Sequence, residues 1–457
     1  MEKIKHLYWR AGFGLSIQEW EQQQNMSVSQ AVNKLFKKAN STPPLNAPNT
    51  PDVEGFLQMS DKDKAEARKQ ERRLVVLQSA AWIKRMSDDK ASPLLERMTL
   101  FWHGHFACQS KTSTLASNQL NTIRKHALGN FRDLVLAIAK DPSMIRFLNN
   151  QQNRKQKPNE NFARELMELF TIGRGNYTEK DIKEAARAFT GWSSTAKGEY
   201  IFRSRVHDYG QKTFFGQSGR FDGTDIIDMI LEKKETAQFI VRKIYRYFVN
   251  EDINERHVQE LANSFYASDY DIAKLMRTIF LSDWFYESKN RGSKIKSPVD
   301  LVAGMMKNLH LEFENELALV FLQRSLGQSL FNPPNVAGWP GSKTWVDNST
   351  LMIRLNLPAY LLNSKEVNFK LKEEFEAKRQ NKITRRLSAN LDLAPIIAKV
   401  QGKDIEEKVN YLSAYLLPSS GQVPIQLFKH ITQGKNEEET TKLVLLGLMS
   451  LPEYQMC

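Results

Sequence analysis

The chain has 457 residues, a formal net charge of +13 and a sequence pI near 9.4. Its 41% hydrophobic and 10% aromatic content suffices for a large core and excludes a disordered chain. Two cysteines, Cys108 and Cys457, exclude a disulfide framework, and no run approaches the ~18 apolar residues of a membrane span.

Acidic and basic residues interleave almost everywhere, so the charge reads as a well-mixed basic surface open to acidic partners. No nucleic-acid-binding motif accompanies it, and specific nucleic-acid binding is not expected. The opening MEKIKHLYWRAGFG lacks the apolar stretch of a signal peptide. As written, the sequence is expected to be cytoplasmic.

Period-3.6 patterns dominate and predict helices over 16–38, 60–87, 93–106, 114–127, 130–140, 142–150, 160–172, 179–191, 224–232, 235–250, 254–267, 270–281, 297–309, 314–326 and 348–363, with several more after 385. Ser16 with Glu19, and Thr178 with Asp181, have the spacing of capping boxes. The proline-rich segment 41–55 reads as a flexible surface loop. EYIFRSRVHDYGQKTFFG, 199–216, alternates apolar and polar residues around Asp208-Tyr209-Gly210 and predicts a small inserted β-hairpin. The charged, apolar-poor stretch 364–390 suggests a boundary. The expected architecture is mostly α: a multi-helical globular array with a main domain over 1–363 and a C-terminal helical lobe over 364–457 packed on it.

Four segments carry chemistry. On helix 160–172, Asn161, Glu165 and Glu168 fall within a ~60° arc, with Arg164 beside them. Two carboxylates at i, i+3 could share a divalent metal or act as acid and base; an amphipathic helix with a solvated charged face explains the pattern equally. In LLERMTLFWHGHF, 94–106, His105 projects from the apolar face as a core histidine would. His103 points the other way, towards Glu96, and is free to act as ligand or general base. Residues at i and i+2 do not share a helix face, so His-x-His is a poor metal pair there.

At the hairpin tip, His207 and Asp208 are the material of an acid/base pair, and Lys212 could bind an anion; turn chemistry is the plain alternative. The segment GQSLFNPPNVAGWPGSKTW, 327–345, is long for a connector, and its Trp339 and Trp345 could stack on sugar rings or seal a pocket. No Walker, Rossmann, HExxH or GxSxG signature is present.

Seven motifs in this order resemble the domain-of-unknown-function 1800 family (DUF1800). They are HLYWRAGFG (6–14), RMTLFWHGHF (97–106), NFRDLVLAIAKDPSMIRFLNN (130–150), NENFARELMELFTIGRGNYTEKDIKEAARAFTGW (159–192), HDYGQKTFFG (207–216), KIKSPVDLV (294–302) and NPPNVAGWPGSKTW (332–345). The resemblance implies a mostly helical fold and no established activity. It also implies a neighbour, a sulfatase-like DUF1501-type protein that is usually exported, and with it an alternative location in the cell envelope or periplasm.

Together these readings lead to an expected polar pocket built from helix 160–172, the 97–106 helix, the hairpin tip and the 332–345 loop. Glu165, Glu168, His103, His207 and Asp208 would be catalytic; Arg164, Lys212, Asn161, Asn335 and Trp339 would bind substrate. The activity would be hydrolysis or transfer on a polar, carbohydrate-like or anionic substrate. The alternative is a non-catalytic scaffold for the envelope sulfatase-like protein.

Overall fold

The computed structural model describes residues 1–45, 55, 58–362, 366–367, 385–419 and 423–457. Most of the proline-rich loop, and most of the charged boundary at 364–390, lie outside the described residues.

Three helices make the centre: Glu2–Arg10, Pro93–His105 and Pro298–Asn308. Every residue of Pro298–Asn308 is buried, as is every residue of Pro93–His105 except Gly104. Helices covered on all sides need small residues where backbones approach. A Cβ at Gly304 would lie 2.5 Å from the Trp9 ring, and one at Gly12 would lie 2.7 Å from Pro93. Arg97 crosses this centre, its Nε donating to the Gly12 carbonyl at 2.9 Å and its Nη1 forming an ion pair with Asp300.

The remaining helices wrap this core in the predicted order, and the elements differ from expectation in places. Glu2–Arg10 is a helix that the periodicity did not reveal, and 16–38 is two helices, Ile17–Gln22 and Val28–Asn40. The break follows from a second capping box, Ser27 with Gln30, which starts the chain afresh. The boxes at Ser16/Glu19 and Thr178/Asp181 both form.

The small β structure near 199–216 is two hairpins. Trp192–Ser194 pairs antiparallel with Tyr200–Phe202, and Lys212–Phe214 pairs with Gln217–Gly219. Strands 200–202 and 212–214 therefore do not pair across Asp208-Tyr209-Gly210. The Asp208 carboxylate instead accepts the Gly210 N–H at 2.8 Å, and a short 3-10 turn, Ser204–Val206, precedes it.

The C-terminal helices dock on the central core through buried polar contacts. The Tyr415 hydroxyl donates to the carbonyls of Leu15 (3.0 Å) and Asn308 (3.1 Å), and the Tyr454 hydroxyl donates to Asn308 Oδ1 at 3.0 Å. Lys5 donates to the Ala414 carbonyl at 2.6 Å. Among the described residues no helix is long and apolar enough to cross a membrane.

Candidate functional site

The polar helix singled out by sequence changes character halfway. Asn161–Glu165 is α-helical, and Leu166–Thr171 is a π-helix. The amides of Ile172 and Gly173 both reach the Met167 carbonyl, at 3.2 and 2.8 Å. The wider turn leaves the next carbonyls to outside partners. Lys243 Nζ donates to the Leu169 carbonyl at 2.8 Å, and His105 Nε2 lies 3.0 Å from the Phe170 carbonyl. Lys243 also approaches His105 Nδ1 at 3.3 Å. An ammonium can only donate, so Nδ1 accepts and Nε2 carries the proton to Phe170. Burial, with Lys243 beside it, holds His105 well below the usual histidine range. Burial, helped by Arg246, lowers Lys243 to about 8.

The charged side chains of this helix are largely paired with residues outside it. Arg164 makes a bidentate contact with Glu179, 2.8 Å on each arm, and reaches Glu160 at 3.1 Å. Glu168 pairs with Arg174 and accepts from the Tyr177 hydroxyl at 3.4 Å. The Asn161 amide donates to the Leu148 carbonyl at 3.1 Å. Glu165 is the exception: half-buried, it has no hydrogen-bond or ion-pair partner among the described residues. Burial raises its carboxyl above the ordinary range, and the neighbouring Glu168 adds to the effect.

His103 is 1% exposed and lies among Trp82, Phe331 and Trp339, the last with its ring 5.5 Å away. Its Nε2 accepts the Phe331 N–H at 3.2 Å, and burial lowers its pKa to about 4. The expected approach to Glu96 is not made. That carboxylate is held by Trp82 Nε1 (2.9 Å), Arg85 (2.8 Å) and Arg124. The 332–345 loop closes over the end of this helix, with Gly338 at φ +84° resting on the Gly104 carbonyl. Asn335 is spent inside that loop, its Oδ1 accepting the Ala337 N–H at 2.9 Å.

At 207–212 the imidazole and carboxylate part company. His207 Nδ1 lies 2.7 Å from the Thr190 carbonyl, while Asp208 turns to Arg187 Nε at 2.8 Å. Burial pushes the Asp208 carboxyl up, but hydrogen bonds from Arg187 and the Gly210 N–H bring it below its ordinary value. Lys212 is buried and donates to the carbonyls of Asp208 (2.6 Å) and Gly210 (3.1 Å); burial lowers its pKa.

The chain thus brings together His103 with Trp339, and His105 with the π-helix. No hydrogen bond joins either glutamate to an imidazole among the described residues. Nor do these include a group of three His, Cys, Asp or Glu side chains placed to hold a metal. Sequence reasoning missed Lys243, Arg187 and Glu179. Arg187 and Glu179 stand within the recognised 159–192 motif and could have been read as partners, whereas nothing in the helix pattern marks Lys243.

A separate groove of 1110 Å³ runs beside helix Asp61–Ser87, between residues 109–115, the 196–198 turn and the 320–332 stretch. Buried Val75, Leu330 and Phe331 contribute to its floor. Among its lining residues are six cations, Arg68, Arg72, Lys111, Arg146, Lys197 and Arg324, against one acid, Glu71. That acid is already engaged by the Ser113 N–H and hydroxyl at 2.8 and 2.9 Å. Phe331 links the two regions, because its amide is the one bonded to His103.

The model of one protein family, described as "Protein of unknown function (DUF1800)", matches residues 6–456. No curated protein and no solved structure matches the chain.

Proposed function

The chain belongs to the DUF1800 family of proteins of unknown function, and from that premise we propose that it is a non-catalytic binding protein whose working surface is the groove beside helix Asp61–Ser87. The observation that carries this is the groove's combination of an apolar floor with six cations and one occupied acid. Such a surface complements an acidic, partly apolar segment of a partner protein: the apolar side chains supply affinity and the charges supply orientation and on-rate. The side chains expected to be catalytic support the same choice, since Glu168, His103, His207 and Asp208 are each bonded to neighbouring protein groups. The envelope sulfatase-like protein suggested by the family resemblance is the first partner to try.

The test is fluorescence anisotropy with a labelled peptide of alternating Glu and Leu, set against a Lys/Leu counterpart. The acidic peptide should bind, with affinity falling as salt rises. The double variant Arg72→Glu, Arg324→Glu should weaken it by about tenfold or more, roughly 1.4 kcal/mol. Equal binding of both peptides, or indifference to the double variant, overturns the proposal.

One observation favours a second reading, an acid/base enzyme acting on a polar, carbohydrate-like or anionic substrate. Glu165 is a half-buried carboxyl with a raised pKa and no hydrogen-bond or ion-pair partner among the described residues, the state a general acid needs. Turnover of a glycoside or ester panel by the wild type that Glu165→Gln abolishes, while leaving the unfolding midpoint unchanged, would establish it. Turnover that survives this change excludes Glu165 as the acid.

A further inference from the structure

Two of the sequence motifs, HLYWRAGFG and KIKSPVDLV, meet away from the groove, at the centre of the fold. Arg10 comes from the first, and Lys294, Lys296 and Asp300 come from the second. We propose that Arg10 and Lys294, walled by Arg97 and Tyr247, bind a small oxyanion of the phosphate or sulfate type beneath the 290–297 segment.

The first support is an unmet donor set. Arg10 is 2% exposed, and its Nη2 donates to the Asn290 carbonyl at 2.7 Å and to Ser293 Oγ at 2.9 Å. Its Nε and Nη1 are shielded from solvent and have no hydrogen-bond partner among the described residues. An unmade hydrogen bond at a buried charged group is among the costlier defects a fold can carry. Nε and Nη1 lie on different edges of the guanidinium, so an oxyanion at the Nη1 end is held there by a single charge-assisted hydrogen bond.

The second is the position of Lys294, next in sequence to Ser293. Its Nζ stands 3.8 Å from the centroid of the Tyr247 ring, and the hydroxyl of that residue accepts from Arg97 Nη1 at 3.2 Å. Among the described residues no hydrogen-bond acceptor meets this ammonium. The residue keeps some exposure, while its ammonium itself is desolvated.

The third is the balance of charge. Arg10, Arg97, Lys296 and Arg354 are all buried; of the negative groups beside them, buried Cys457 favours the charged forms of Arg10 and Lys296, and the other is the Asp300 carboxylate. It is taken up by Arg97 and by the Ser297 N–H at 3.0 Å. Lys296 is satisfied locally by the Tyr454 carbonyl at 2.6 Å and by the Trp9 and Tyr454 rings. Burial lowers Lys294 to about 8; Arg97 and Arg10 push it the same way against Asp300 and Cys457. The cations here still outnumber Asp300 and Cys457; an oxyanion between Arg10 and Lys294 adds negative charge where a buried cation short of counter-charge is unfavourable.

Two measurements on the full chain test this. Protein dialysed into chloride is unfolded in urea and the released anions are read by ion chromatography. Thermal unfolding is also followed in phosphate or sulfate against chloride at equal ionic strength. The expected result is stoichiometric release, or a midpoint that rises and saturates with anion concentration; the two anions are told apart by which is released or binds at lower concentration. Arg10→Gln should lose the response and Arg10→Lys should keep part of it. Lys294→Met retains the alkyl stem over Tyr247 and keeps the variant set informative should Arg10→Gln fail to fold. Neither release nor a saturable shift in the wild type, or an undiminished response in Lys294→Met, overturns the proposal and leaves Asp300, Glu251 and Cys457 to balance the cations.

Discussion

Arg97 shows how a single side chain can hold three central elements at once. It binds Asp300 on Pro298–Asn308, the Gly12 carbonyl beyond Glu2–Arg10, and the Tyr247 hydroxyl. Removing it leaves Asp300 charged, buried and short of its main partner. Arg97→Ala is therefore expected to cost about 3–5 kcal/mol, read as a shift in the urea midpoint. His103 carries a different signature. Burial lowers it to about 4, below the value of ~6.5 in an unfolded chain. Between those limits the unfolded chain binds more protons, so stability falls as pH drops from about 6.5 towards 4. His103→Gln preserves an acceptor for the Phe331 N–H and should flatten part of that slope in urea titrations at pH 7 and 4.5; His105, also lowered, keeps the rest. At this scale the sequence marked polar side chains as candidates but did not reveal their partners. His103 and Asp208 both stood out, yet a contact such as Asp208 with Arg187 depends on where an intervening loop turns.

Elements were legible where one face is buried and the other is wet. The boxes at Ser16/Glu19 and Thr178/Asp181 form as their spacing predicts, and Thr178→Ala should cost about 1 kcal/mol in thermal unfolding. Glu2–Arg10 escaped detection because it is short and buries Lys5, His6 and Arg10 with its apolar side chains, which breaks up the apolar stripe. The split between Ile17–Gln22 and Val28–Asn40 was readable from Ser27 and Gln30, but apolar spacing bridged the gap. The closure of the 332–345 loop rests on Gly338, whose positive φ and contact with the Gly104 carbonyl leave no room for a side chain. Gly338→Ala is expected to destabilise by about 1–3 kcal/mol. It should also quench or shift Trp339 fluorescence, because that ring sits on His103.

For the whole molecule, composition and periodicity reached the helical class, and the groove lay beyond them. Its walls come from residues near 70, 111, 197 and 324, which no local pattern connects. The division into a main domain and a C-terminal lobe is best regarded as a proposal in which the two parts unfold together. Lys5 and Lys296 are buried cations whose acceptors, the carbonyls of Ala414 and Tyr454, belong to the C-terminal part. A chain ending at Leu362 would strand both ammonium groups in the interior. It is expected to lack a cooperative calorimetric transition, whereas the full chain should show one; an independently folded truncated chain would count against a single unit.

The π-helix at Leu166–Thr171 makes spacing itself a constraint. An arc drawn at ~100° per residue holds only while hydrogen bonds run from i to i+4, and here the Ile172 amide reaches back to Met167 instead. That wider turn sets a phase between Glu165 before it and Gly173 after it, where Phe239 leaves no space for a Cβ. Loss of one residue from this stretch would restore ordinary helix and rotate one end against the other, taking the Leu169 carbonyl from Lys243 and the Phe170 carbonyl from His105. The number of residues between Glu165 and Gly173 is thus as fixed as their identities, and a deletion tolerated in a surface loop would here act like several core substitutions at once.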